Sequence, residues 1–194
     1  MGGKHFERLD EEGRALHDSW DQIARVVVLV TLLAMAVWAV STALRQAVHH
    51  AVTPVLHASE DRSWRGAALL LSILVGAGLV RGLLMRQEAW RAVAGDGMDT
   101  ALANYHITYE RDGDDPQPRY DLPAFSLAGR KFLATLLTLG SGASGGMEAP
   151  VVLIAECVSA GFARVFAIRS EYELRTYQLA GIAAAVATLL GAPF

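Results

Sequence analysis

Charge is scarce in this chain, cysteine scarcer still, and basic tracts are missing. Of 194 residues 19% are charged and 53% hydrophobic, and the formal net charge is −3. A soluble domain carries about 25% charged and about 45–50% apolar residues. No run of Lys or Arg exceeds two residues, so no basic stripe exists to hold nucleic acid. The single cysteine, Cys157, excludes an intramolecular disulfide framework and a cysteine-based zinc site, and in its apolar setting it reads as a small filler. No nucleophile–base pair or phosphate loop can be assembled from the spacings, so the chain does not read as an enzyme and implies no cofactor. The residues before Val26 include six acids and four basic side chains. Without a short basic lead they do not resemble a cleaved signal peptide.

What is present is clustered hydrophobicity. Nineteen consecutive residues, 26–44, carry no charge, and the last nineteen, 176–194, carry none either. Runs of that length match a hydrocarbon core of about 30 Å at about 1.5 Å per helical residue. The fold class expected is all-α, an integral membrane protein with broken helices. Residues 1–25 read as an amphipathic helix: Phe6, Leu9, Leu16, Trp20 and Ile23 form one apolar stripe among acids and arginines. It suits the membrane interface, where Trp20 would anchor, and equally suits a solvated helix packed on its own protein. Residues 26–194 read as a transmembrane domain with spans at about 26–45, 66–85, 127–139, 150–168 and 174–192.

Between the first two spans, residues 45–65 read as a polar connector in which Pro54 interrupts any helix face shared by His49 and His57. Gly78 and Gly82 make a small-xxx-small pair, which predicts close packing of the second span on another helix. Residues 110–121, ERDGDDPQPRYD, have the composition of a solvated loop. Asp112, Asp114 and Asp115 lack the glycine and glutamate register of a calcium loop.

The strongest local signal is GSGASGGMEAP, residues 140–150. Pro150 marks the first turn of a helix. Glu148 is the first charge after sixteen uncharged residues, 132–147. An ionisable residue in an apolar region is a functional hypothesis. At a helix N-terminus a carboxylate competes with a dissolved anion for the same N–H groups, and protonating it frees the site. Plain capping of the helix by Glu148 is the other reading. Glu156 and Arg164 follow at eight-residue steps on roughly one face, consistent with a proton path or with pairing to a neighbouring helix.

The stretch KFLATLLTLGSGASGGMEAP, residues 131–150, resembles the segment of the CLC chloride channels and chloride/proton antiporters that ends in G-[RK]-E-G-P. AGIAAAVATLLGAPF, residues 180–194, is similar to that family's helix ending in N-A-P. The resemblance implies an inverted-repeat transporter fold and a gating, proton-exchanging role for Glu148. Gly146, Met147 and Ala149 flank it at the anion, and Lys131 falls on a basic residue often found at the start of the preceding helix. Met147 stands where the family has Arg or Lys, and Ala149 where it has Gly. The second anion-binding element, G-S-G-I-P in the family, falls on Gly95-Asp96-Gly97-Met98-Asp99.

Asp96 replaces a serine there, and an ionised carboxylate about 4 Å from an anion costs on the order of 4 kcal/mol at an effective dielectric near 20. Three readings are open: Asp96 is protonated, it caps a helix beginning near Thr100, or the ion is not a simple halide. The resemblance further implies chloride or another small anion and protons as cargo, membrane lipid as surroundings, and a homodimer. It also implies a multi-pass location in a bacterial inner or plasma membrane. The family is more than twice as long as this chain, so a fragment that does not conduct alone is expected. A non-transporting relative or membrane scaffold is the alternative.

Overall fold

The computed structural model describes residues 20–60, 63–107, 123–168 and 170–191. Of the amphipathic helix expected over 1–25, residues 1–19 lie outside them, as does the acidic stretch 110–121. The described residues form seven helices and no strand: α1 (Trp20–Glu60), α2 (Trp64–Leu84), α3 (Glu88–Arg91), α4 (Met98–Ile107), α5 (Ala124–Gly140), α6 (Glu148–Val165) and α7 (Glu171–Leu190).

Local chemistry sets several helix ends. The Ser63 hydroxyl accepts from the Gly66 N–H at 3.4 Å to start α2, and that of Ser170 accepts from the Glu173 N–H at 3.4 Å to start α7. Gly191, at φ +64°, ends α7 in the left-handed conformation that glycine adopts without penalty. α5 ends in a turn through Gly142, at φ +85°, after which the chain re-enters helix at Glu148. This is the break expected from the glycine-rich tract.

α6 is the axle of the fold. Val151 to Ser159 are all buried, and α6 packs against α1, α4, α5 and α7. α1 supplies one face of this core: Leu29, Leu33, Val37 and Leu44 are buried, while Val28, Leu32, Met35 and Trp38 point outward. The buried set recurs at helical spacing and forms one stripe. Gly181 lets α7 close onto Ser159 of α6, whose hydroxyl donates to the Ala155 carbonyl at 2.7 Å.

Two expectations change. Residues 45–60 are helical and not a connector broken at Pro54, because the 41-residue α1 runs through the proline to Glu60. The proline removes one backbone donor, and the Thr53 hydroxyl donates to the His49 carbonyl at 2.7 Å in the same turn. Nor does the Gly78–Gly82 pair seat α2 closely on another helix among the described residues: a Cβ at Gly76, Gly78 or Gly82 would meet nothing within 4 Å. α2 packs only lightly, against α1 and α5. Among the described residues, two helices, Ile23–Glu60 and Trp64–Leu84, are long and apolar enough to cross a membrane.

Candidate functional site

The loop before α4 and the first turn of α6 meet at one cavity. In the loop, the Asp96 Oδ1 accepts from the Met98 N–H at 2.9 Å. The bond closes a turn immediately before α4, which starts at Met98, two residues before the expected position, with the Gly97 carbonyl accepting from the Ala101 N–H at 3.0 Å. Gly95 and Gly97 sit at φ +73° and +99°, where a side chain is strained. A Cβ on Gly97 would also lie 2.8 Å from Leu153 Cδ2 and 3.0 Å from Lys131 Cε.

Lys131, on α5, holds this loop. Its side chain is buried at 2% exposure, and its Nζ donates to the Gly95 carbonyl at 2.9 Å and to the Val93 carbonyl at 3.3 Å. An ammonium has three donors, so two are committed to the loop and one is left.

At the start of α6, Met147 occupies the N-cap position and offers no side-chain cap. The Val151 N–H bonds to the Met147 carbonyl at 3.0 Å and Pro150 has no N–H. The N–H groups of Glu148 and Ala149 are thus the first-turn donors, at the positive end of the helix dipole. Glu148 is exposed, its carboxylate folds back against Gly146, and it has no hydrogen-bond or ion-pair partner among the described residues.

Glu156 differs from Glu148 in environment, although the spacing put both with Arg164 on roughly one face. It is wholly buried. Its Oε1 accepts from Gln178 Nε2 of α7 at 3.3 Å, and Cys157 Sγ lies 3.8 Å from its Oε2. Arg164 is exposed in the last turn of α6. Glu156 is tied to a neighbouring helix, and the three do not share one continuous exposed face.

The cavity is about 140 Å³ and is lined by Arg81, Gly95, Asp96, Lys131, Thr138 and Gly146, among others. Of the residues singled out from sequence, Gly95, Asp96 and Gly146 line it directly. Gly97 lies behind the wall, under Lys131. Met147, Glu148 and Ala149 form the adjoining helical turn without lining the space, and the Glu148 carboxylate stands at its rim through Gly146.

Arg81, Thr135 and Thr138 were not foreseen. Arg81 Nη1 donates to Thr138 Oγ1 at 2.7 Å, and that hydroxyl donates to the Ala134 carbonyl at 2.8 Å. Arg81 carried a usable signal, being an isolated charge inside the apolar run 66–85. The threonines carried none, since hydroxyls on an apolar helix commonly bond back to their own backbone.

Comparison with curated proteins and with solved structures finds no match. A family described as voltage gated chloride channel matches residues 77–194. That stretch holds Arg81, the 95–97 loop, Lys131 and the whole of α6, so every wall of the cavity falls inside it. Covering more than half of the chain, the match makes this protein a member of the voltage gated chloride channel family, and its fold that of an all-α membrane protein.

Proposed function

We infer that this chain has a chloride channel or transporter-related function, which its family membership supports. We propose that this chain moves chloride or a similar small anion through the cavity between the 95–97 loop and the first turn of α6, with Glu148 as the gate. The single observation that supports this most is the setting of Glu148: an exposed carboxylate folded over Gly146, at an uncapped helix N-terminus, on the rim of a cavity with two cationic side chains in its wall. Ionised, it holds the first-turn N–H groups against an incoming anion; protonated, it loses its charge and yields them. Proton exchange at the same atom would couple the two ions. Residues 26–194 form the multi-pass transmembrane region in this reading, in a bacterial inner membrane and with a second copy as partner. Asp96, engaged with the Met98 N–H, closes the turn before α4 and is not an anion ligand.

Chloride titration of the detergent-solubilised chain by calorimetry tests the gate. Wild type should bind chloride more tightly as pH falls and the carboxylate is neutralised. Glu148→Gln, with no charge to lose, should bind tightly at every pH. Identical pH dependence in the two proteins would remove Glu148 from this role.

A further inference from the structure

Arg81 stands in the last turn of α2, whose other charge is Arg65 at the opposite end, with an uncharged stretch between them. It lines the 140 Å³ cavity together with Lys131. The guanidinium has five donors, and the Thr138 hydroxyl takes one of them. Lys131 has given two of its three to Val93 and Gly95. The carboxylate in the wall is Asp96, which already accepts from the Met98 N–H. With the Glu148 gate at the rim protonated, two cations face one carboxylate and the site is one positive charge in excess, with donors of Arg81 and Lys131 still uncommitted. One monovalent anion in the cavity would offset that charge and accept those donors together.

We propose that Arg81 is a ligand of the transported anion, held in position by Thr138. This inference rests on the anion-transport reading of the cavity and adds to it a cation delivered by α2. The alternative is a purely structural Arg81 that tethers α2 to α5 through Thr138. A tether stabilises the protein whatever anion is present; a ligand matters only when the anion is there.

The test uses the solubilised chain with chloride as probe and gluconate as the control anion. Chloride affinity is measured by calorimetry and thermal unfolding is recorded in each anion, for wild type, Arg81→Gln, Arg81→Lys and Glu148→Gln. Hydrogen bonds to a charged group correspond to about tenfold to a hundredfold in affinity. Arg81→Gln should lose that much and lose the chloride-dependent rise in Tm. Arg81→Lys keeps the charge without the fork and should fall between.

Equal Tm changes in chloride and gluconate with unaltered chloride affinity would make Arg81 a tether and overturn the proposal. Should Arg81→Gln fail to fold, Arg81→Lys decides: a severalfold loss upholds the ligand role and wild-type affinity overturns it. The two readings fail separately. Weakened binding in Arg81→Gln with no effect of Glu148→Gln would discard the gate and keep the ligand, and the reverse pattern would discard only the ligand. Absence of chloride binding by wild type overturns both.

Discussion

At the scale of single residues, the cavity depends on two glycines that share a backbone conformation and differ in surroundings. Gly95 and Gly97 both have positive φ, but a Cβ on Gly95 meets nothing within 4 Å, whereas one on Gly97 runs into Leu153 and Lys131. Gly95→Ala should therefore cost only the left-handed backbone term, about 1–2 kcal/mol. Gly97→Ala adds overpacking of about 1–3 kcal/mol and pushes on the lysine that holds the loop. Thermal unfolding of both variants should rank Gly97→Ala as the less stable, and chloride titration should show the greater loss for it; equal behaviour would mean that Lys131 does not depend on this contact. Sequence alone made part of this site legible. Asp96 is a strong capping residue between glycines, and Glu148 breaks a long uncharged run just before a proline, so both signals are local. Lys131 was visible only through family resemblance, because nothing in a helical pattern says that a lysine turns inward to bond two carbonyls from another element. Arg81 was legible as an anomaly, and its partner Thr138, 57 residues away, was not.

At the scale of elements, the glycine-rich tract serves packing as well as breakage. A Cβ on Gly140 would sit 2.8 Å from the Cβ of Ala51, and one on Gly142 would sit 2.9 Å from Val55 Cγ1. Ala51 and Val55 are one turn apart on α1, so the far half of that helix lies over the α5–α6 turn. This contact exists only because α1 continues through Pro54. Composition pointed to a polar connector there, and the histidines and proline were the reason; tertiary contact with the turn and the Thr53–His49 hydrogen bond override that local tendency. Helices α2, α5, α6 and α7 fall close to the spans read from hydropathy, since their ends coincide with serine caps, glycines and a proline that have direct backbone meanings. Paired alanine substitutions check the packing role. Gly140→Ala should destabilise by about 1–3 kcal/mol, because the obstructing atom is a Cβ that cannot swing away. Gly129→Ala, on the same helix with open space at its Cβ, should stabilise by about 0.5–1 kcal/mol. Opposite signs in denaturant unfolding uphold the α1 contact, and a gain at both positions would contradict it.

At the scale of the whole molecule, an apolar core also holds several polar side chains, and many large apolar side chains face outward. Lys131, Glu156, Arg175 and Gln178 are buried, while Val27, Val28, Leu71, Leu79 and Leu83 stand more than half exposed. Water would oppose both halves of that arrangement. A hydrocarbon solvent favours both, because polar groups must find partners inside and apolar side chains lose nothing by facing lipid. α2 is the sharpest case, with no buried residue in its most apolar window. Leu74 lies near its middle at 43% exposure. In a water-soluble fold, Leu74→Arg would change stability by no more than about 0.5 kcal/mol, as surface substitutions usually do. At the centre of a membrane-spanning helix, an arginine raises the insertion free energy by about 2.5–3.5 kcal/mol. That difference corresponds to a fall of roughly a hundredfold in the inserted-to-excluded ratio of α2. Glycosylation mapping of α2 during synthesis into microsomes reads the ratio directly. Leu74→Ala, which leaves the helix apolar, controls for loss of side-chain bulk and should insert like wild type. Insertion of Leu74→Arg at the level of Leu74→Ala would mean that α2 is not a span, and the exposed apolar face would then require a protein cover instead of lipid.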